Sequence, residues 1–249
     1  MVNLVHSKES LSKSHLLIRS DPMRENAPVI ERTRGQSLEI NKVLKNTYLL
    51  LSATLVWSAA MAYTAIAMNV GYISPFIYLA VVFGIGFVLR KTANSSMGIV
   101  VTFAFTGFLG FYAGPIVAYY SSSFGSGIVV QALAGTGLIF FGLSGYVLSS
   151  KKDFSFMRGM LFTGATVIFV GYLTYFVANY FFGFYISGLS LAFSALIVML
   201  ISGFILYDTS SIIRGEQTNY ILATVNMYMN IYLLFMHLLN LISAFSGDD

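Results

Sequence analysis

Long apolar stretches alternate with short polar ones along most of this chain. Seven segments are dominated by Leu, Ile, Val, Ala, Phe and Met, and they cover residues 47–68, 73–89, 97–120, 128–149, 157–181, 185–212 and 218–245. Each approaches or exceeds the roughly 20 residues that a helix needs to cross a hydrocarbon layer about 30 Å thick. Backbone groups in lipid must bond internally, and no segment alternates like a barrel strand. The pattern predicts an all-α integral membrane protein, a bundle of seven transmembrane helices.

The first 46 residues differ in character from the rest of the chain. They hold eight of the fourteen Lys and Arg residues and five of the ten acidic residues, and they show little apolar periodicity. A segment of this composition buries too little apolar surface to offset the entropy of ordering it. We therefore expect two parts: a mobile tail over residues 1–46, with a short helix near residues 37–45, and a seven-helix transmembrane domain over residues 47–249.

The connecting loops carry their positive charge at one end of the bundle only. The basic residues after the second, fourth and sixth segments are Arg90, Lys91, Lys151, Lys152, Arg158 and Arg214. The alternate loops, residues 69–74, 120–127 and 181–186, contain no Lys or Arg. Because cytoplasmic loops carry the excess of Lys and Arg in membrane proteins, we expect a cytoplasmic N-terminus and a C-terminus on the outer side.

Composition agrees with a membrane protein and removes several other classes. The 249 residues are 57% hydrophobic and only 10% charged, whereas a soluble domain is roughly a quarter charged. The chain has no Cys, which excludes disulfide and thiolate chemistry. Its net charge of +4 comes from residues beside membrane spans, where they set topology. We expect no nucleic-acid partner, and the bilayer is the surrounding medium.

The last apolar segment carries five polar side chains on one face. At 100° per residue they fall on a stripe about 80° wide, and they are Asn219, Asn226, Asn230, His237 and Asn240. A polar stripe in a membrane helix faces the interior of a bundle. The alternative for each single residue is a hydrogen bond that ties helices together, worth roughly 1 kcal/mol. The stripe predicts that the seventh helix is central, with the others packed around it.

Asp208 lies near the end of the sixth segment and is an ionisable group inside a span, where such groups are usually functional. No Lys or Arg lies deep in a span to neutralise it. It lies roughly 6 Å from the inner end of its helix, against roughly 12 Å for Asn226 and 18 Å for Asn230. Depth alone pairs Asp208 with Asn226, but helix ends are defined by the sequence only to two to four residues, so Asn230 is the alternative partner. We predict a polar intramembrane site of Asp208, Asn226, Asn230 and His237.

Small residues are concentrated in the third segment. Gly107, Gly110 and Gly114 precede Pro115, and Gly110 with Gly114 forms a small-xxx-small pair that lets a neighbouring backbone approach closely. These residues predict tight helix packing. Pro115 removes a backbone donor and is expected to bend or end the helix.

No catalytic, metal or cofactor site is predicted. Gly142-Leu143-Ser144-Gly145 matches the G-x-S-G of intramembrane serine proteases, with His237 available as a base. Ser144 lies roughly 7 Å and His237 roughly 28 Å from the same end of the bundle, whereas a nucleophile and base need contact at about 3 Å. No Gly-rich phosphate loop lies between a strand and a helix. We expect a protein that is not an enzyme.

Several motifs together resemble the Bax inhibitor / YccA family. The resemblance covers residues 41–249 and is carried by Asn41–Tyr48, Lys91–Asn94, Phe103–Gly110 with Gly114-Pro115, Tyr207–Ser210, Asn219–Ile221 and Met227–Tyr232. It implies seven helices with the last surrounded by the other six. It also implies a multi-pass protein of the bacterial inner membrane, with a periplasmic C-terminus.

The same resemblance implies two different functions. Members of the YccA branch engage the membrane AAA protease FtsH as a substrate that modulates or inhibits it in membrane-protein quality control. Other members are pH-sensitive calcium leak pathways with two facing Asp residues in the last two spans. Asp208 matches the first of these, but position 230, which matches the second, is Asn. An Asp–Asn pair cannot share a proton as two carboxylates do. We therefore expect an FtsH partner, with a calcium leak as the alternative.

Overall fold

The seven apolar segments form seven long helices. The computed structural model describes residues 22–186 and 188–246, with the backbone alone for residues 22–34 and 36. The helices are α1 (Pro22–Ala67), α2 (Pro75–Thr92), α3 (Met97–Phe124), α4 (Gly127–Ser150), α5 (Arg158–Phe182), α6 (Leu189–Ile213) and α7 (Tyr220–Ser246). A 3₁₀ turn, Ser155–Met157, precedes α5. All seven helices are long and apolar enough to cross a membrane, by length and composition. The predicted all-α class is confirmed.

Helix ends follow the local sequence closely. α2 begins with Pro75 in its first turn, where a missing N–H costs nothing and the fixed φ suits a helix. α5 ends at Phe182 and is followed by Gly183, whose φ of 65° is a left-handed conformation that glycine adopts without strain. Its N–H donates to the carbonyl of Asn179 at 3.0 Å, and the N–H of Phe184 donates to that of Ala178 at 3.2 Å. These bonds satisfy carbonyls that the end of the helix leaves free.

The first helix differs from the expectation because it begins at Pro22, well before the apolar segment. The expected short helix over residues 37–45 is therefore one part of α1. A polar composition does not prevent helix formation, because Glu, Arg, Lys, Gln and Leu all have high helix propensity. The chain divides into a unit of residues 1–42 and a unit of residues 43–249. Residues 1–21 of the predicted tail, and the final Asp248 and Asp249, lie outside the described residues.

The core of the second unit is built around α7. Eleven residues of this helix are buried, among them Met227, Tyr228 and Leu234. In the described part of the chain, the core cluster takes buried side chains from every helix except α5. α5 packs against α6, and its Phe176 contacts Phe76 of α2, with 5.9 Å between ring centroids. The seventh helix is thus central, as the polar stripe predicted.

The basic loops lie at one end of this helical unit, which we call the basic end: it holds the ends of α2, α4 and α6 and the starts of α3, α5 and α7. That this end faces the cytoplasm remains a prediction. A reporter fused after Lys152 would test it, since the orientation expected from the charges places it in the cytoplasm.

Candidate functional site

Four of the five polar residues of the α7 stripe, all except Asn226, form hydrogen bonds with neighbouring elements. At the basic end, the Asn219 side-chain oxygen accepts hydrogen bonds from the N–H groups of Ile221 and Leu222, at 2.9 and 3.0 Å. This is a helix N-cap, which satisfies donors that the first turn leaves free. The amide nitrogen of Asn219 donates to the carbonyl of Ala93 at 3.0 Å and to Asn94 at 2.7 Å. Asn219 therefore caps the N-terminus of α7 and bonds it to Ala93 and Asn94, which follow α2.

The next contact joins α7 to the carboxylate of α6. Asn230 is buried, and its Nδ2 donates to Oδ2 of Asp208 at 2.7 Å. No Lys, Arg or His lies within ion-pair distance of Asp208 in the part of the chain that the structure describes. A hydrogen bond to a charged acceptor contributes about 1.5–3 kcal/mol. This amide is therefore the main compensation for placing the carboxyl group between helices.

The depth estimate predicted that Asp208 pairs with Asn226, and it was wrong, because Asp208 is bonded to Asn230. It used only the rise of the helix axis, whereas each Cα–Cβ bond tilts toward the N-terminus of its own helix. α6 runs toward the basic end and α7 runs away from it. The side chain of Asp208 therefore leans away from the basic end, and the side chain of Asn230 leans toward it. The two groups meet although their Cα atoms differ in depth.

Asn226 lies beside the same carboxyl group without bonding to it. A cavity of about 120 Å³ is lined by Asp208 and Asn226 together with Phe162, Tyr207, Ser211, Ile212, Gln217 and Ala223. Asn226 is exposed, and no hydrogen bond from it is seen within the described residues. The cavity is therefore bounded by one carboxylate, two amides and two hydroxyl groups from α6, α7 and the loop between them. Such a lining suits water or a small cation.

His237 belongs to a separate network further along α7. Its Nδ1 lies 3.0 Å from Oγ of buried Ser194 on α6. The amide of Asn240 donates to the same Oγ at 2.9 Å, and the hydroxyl of Tyr120 donates to Asn240 Oδ1 at 3.4 Å. These bonds tie α3, α6 and α7 together at the end opposite the basic end. The structure thus splits the four predicted site residues: Asp208, Asn226 and Asn230 lie together, and His237 lies apart.

The serine of the G-x-S-G match has no access to this histidine. Buried Ser144 accepts a hydrogen bond from Thr209 at 3.3 Å, whereas His237 bonds Ser194. Thr209 and Ser194 are fifteen residues apart on α6, which is roughly 22 Å along a helix. The geometry gives Ser144 no base. Among the described residues, no group of three or more His, Cys, Asp or Glu side chains is placed to hold a metal ion.

Sequence reasoning missed Tyr228, which bridges three helices. Its hydroxyl donates to the carbonyl of Thr106 on α3 at 3.1 Å, and Oγ of Ser58 on α1 lies 2.5 Å from it. Because the single hydroxyl proton of Tyr228 goes to Thr106, Ser58 must donate to Tyr228. Tyr228 is only 1% exposed. Its signal was available in the sequence, since an internal Tyr at a depth where lipid surrounds the bundle needs a partner for its hydroxyl.

Gly107, Gly110 and Gly114 of α3 pack directly against α1. A Cβ on Gly107 would lie 2.5 Å from Nε1 of Trp57, and one on Gly114 would lie 2.7 Å from the carbonyl oxygen of Ala62. A Cβ on Gly110 would overlap the backbone and side chain of Ser58. Trp57 also donates to the carbonyl of Phe103 at 3.0 Å.

Pro115 was expected to bend or end α3. The helix does not end at Pro115, because it continues to Phe124.

The fold and the site define a class: a multi-pass membrane protein with a glycine-packed helical bundle, in which the described helices place the carboxylate of Asp208 between α6 and α7. The profile of the family described as inhibitor of apoptosis-promoting Bax1 matches residues 40–247. The chain belongs to this Bax inhibitor family.

Comparison with individual proteins shows which members of the family this chain is similar to. The chain is 45% identical over 228 residues to an uncharacterized membrane protein of Vibrio cholerae, covering 90% of this chain and 100% of that protein. It is 42% identical over 215 residues to a protein of Escherichia coli K12 named modulator of FtsH protease YccA, covering 86% of this chain and 95% of that protein. The resemblance inferred from the motifs is confirmed.

Proposed function

We propose that this chain engages the membrane protease FtsH and modulates it as a substrate-like partner in membrane-protein quality control. The observation that carries the proposal is the similarity to the Escherichia coli modulator of FtsH protease, which extends over 86% of this chain. The site is consistent with a role that is regulatory rather than catalytic, because Ser144 and His237 have separate partners. The proposed partners are FtsH and the surrounding bilayer.

A physical mechanism for inhibition follows from the packing of α1. In this proposal residues 1–46, which include the first part of α1, lie in the cytoplasm and are the segment that the protease takes hold of. Pulling from that end would next have to remove α1 from the bundle. Gly110 and Gly114 hold α1 at close range against α3, and Ser58 bonds Tyr228 of α7. Extraction must break these contacts together, so the protease would be occupied for longer than by a loosely packed substrate.

Deleting residues 1–35 is expected to lengthen the lifetime of the protein in cells that contain FtsH. Insertion is expected to be unaffected, because the apolar part of α1 remains and Lys42 and Lys45 still mark its cytoplasmic end. A pulse-chase measurement of the full chain and the shortened chain gives the two lifetimes. In cells with an inactive FtsH the two lifetimes are expected to be equal. Equal lifetimes in cells with active FtsH would remove the tail from the mechanism.

A calcium or cation leak of the Bax inhibitor type is the second candidate, and one observation favours it. Asp208 lines a cavity without a basic partner among the described residues, which is an arrangement that attracts cations. The amide at position 230 weighs against it, because Asn230 bonds Asp208 and cannot take part in a shared-proton switch. Calcium flux into proteoliposomes, compared with Asp208→Asn, separates the two candidates. A flux that this substitution abolishes would favour the leak.

A further inference from the structure

The loop between α4 and α5 is folded against the end of α6. α4 ends at Ser150, and the N–H of the next residue, Lys151, donates to the carbonyl of Val147 at 2.8 Å. Ser210 of α6 then holds the loop from both sides. Its Oγ accepts the N–H of Phe154 at 3.1 Å and donates to the carbonyl of Lys152 at 3.4 Å. The loop of residues 151–157 is therefore held in one conformation at the basic end.

The acidic residue of this loop is engaged in internal bonds. Oδ1 of Asp153 accepts the backbone N–H of Ser155 at 2.9 Å, and Oδ2 pairs with Arg214 at 3.1 Å. The Ser155 hydrogen bonds, with a smaller contribution from Arg214, hold the pKa of Asp153 below its ordinary value. Arg214 also contacts Glu216 at 3.4 Å. The acids of the two neighbouring loops thus face Arg214 and not the other cations.

Three cations around this loop have no such partner. Within the described residues, Lys151, Lys152 and Arg158 make no ion pair. The Nζ of Lys152 lies 5.7 Å from the ring centroid of Tyr146. Aromatic rings accompany the cations: Phe156 is 78% exposed on the 3₁₀ turn and stacks on Phe154 with 6.4 Å between centroids. Three cations without an acidic partner and one exposed ring, Phe156, therefore lie close together in the chain between α4 and α5.

We propose that this loop, residues 151–157, together with Arg158 at the start of α5, is a binding site for the headgroups of anionic phospholipids. The cations are available to phosphate groups because the acid within the loop is bonded to Ser155 and Arg214. The exposed ring of Phe156 suits the boundary between headgroups and acyl chains, where aromatic side chains concentrate. Each Lys or Arg near an anionic membrane surface strengthens binding by about fivefold. The contact with Ser210 fixes the loop, so little conformational entropy is lost when a lipid binds.

Native mass spectrometry of the full chain in a mild detergent, titrated with phosphatidylglycerol, tests the site. The variant Lys151→Gln/Lys152→Gln is compared with Arg90→Gln/Lys91→Gln, which removes the same charge from the same end of the bundle. Lys91 lies over the ring of Phe87 at 4.4 Å, as Lys152 lies over the ring of Tyr146. The control variant therefore also removes a cation that contacts an aromatic ring. We expect phosphatidylglycerol affinity to fall about twentyfold for the loop variant and less than fivefold for the control. An equal loss in both variants would overturn the proposal.

A second variant keeps every charge and addresses the aromatic part of the site. Phe156→Ser is expected to weaken phosphatidylglycerol binding several-fold, because it removes the exposed ring, while the thermal stability of the lipid-free protein stays unchanged. Phosphatidylethanolamine, which has the phosphate but no net charge, is expected to bind the unmodified protein at least tenfold more weakly. Equal binding of the two lipids, or unchanged binding by Phe156→Ser, would contradict a headgroup site at this loop. Phosphatidylglycerol binding that neither Phe156→Ser nor Lys151→Gln/Lys152→Gln weakens would leave the cations as topology signals, or as a surface for an acidic protein.

Discussion

Replacing Gly110 by alanine is expected to lower the free energy of unfolding of the bundle by about 3 kcal/mol, at the upper end of what overpacking usually costs. A Cβ at this position overlaps both the backbone and the side chain of Ser58, so α1 has to move away from α3. That movement also separates Ser58 from Tyr228 and weakens the link to α7. Equilibrium unfolding of the two purified proteins in mixed micelles measures the difference in their free energies of unfolding.

Gly142→Ala on α4 is the matched control for this substitution. A Cβ on Gly142 meets no atom within 4 Å. The exchange then adds only the helix propensity of alanine over glycine, up to about 1 kcal/mol in favour of the folded state. The two alanine variants are therefore expected to change stability in opposite directions. If both leave stability unchanged, the close contact between α1 and α3 does not stabilise the bundle.

Asn230→Asp is expected to lower the free energy of unfolding at neutral pH by about 3 kcal/mol. The substitution removes the amide that donates to Asp208 at 2.7 Å, a bond worth about 1.5–3 kcal/mol, and it places a second carboxylate against the first. Acidification allows the two carboxyl groups to share a proton. The stability of this variant should therefore rise as the pH falls from 8 to 5, relative to the unmodified protein, in thermal unfolding measurements.

Asn226→Asp is the control for the added charge. It introduces a carboxylate into the same cavity, but at an exposed position that has no bond to Asp208. We expect it to lower stability less than Asn230→Asp does, because the hydrogen bond between Asn230 and Asp208 stays intact. Equal losses for the two variants would mean that the bond between Asn230 and Asp208 is not the source of the effect.

By the family resemblance, Asn230→Asp is also expected to gain pH-dependent calcium flux.

Much of the fold was predictable because long apolar segments in a sequence indicate membrane-spanning helices. The seven apolar segments and the seven helices agree to within a few residues at nearly every end, and the stripe on α7 correctly indicated a central helix. The start of α1 was not predictable in the same way. Its first residues are polar and contain Pro22 and Pro28, so hydropathy carries no signal there, and Pro28 inside the segment disfavours a helix.

The partners inside the bundle were harder to predict from the sequence. Periodicity shows which side chains share a face, but the pairing of Asp208 depended on how side chains lean along antiparallel helices and on helix ends known only to two to four residues. The motif resemblance pointed to position 230, where depth pointed to Asn226. Tyr228 was missed because its role depends on Ser58 and Thr106, which lie on α1 and α3. Such contacts between distant segments leave no periodic trace in the sequence.

The most direct test of FtsH engagement is the rate at which purified FtsH degrades a second membrane protein in proteoliposomes that also contain this chain. We expect the rate to fall as the chain is added, because the protease is occupied by a substrate that it extracts slowly. We also expect the chain lacking residues 1–35 to inhibit less. An unchanged rate at every ratio of this chain to FtsH would contradict the proposed function.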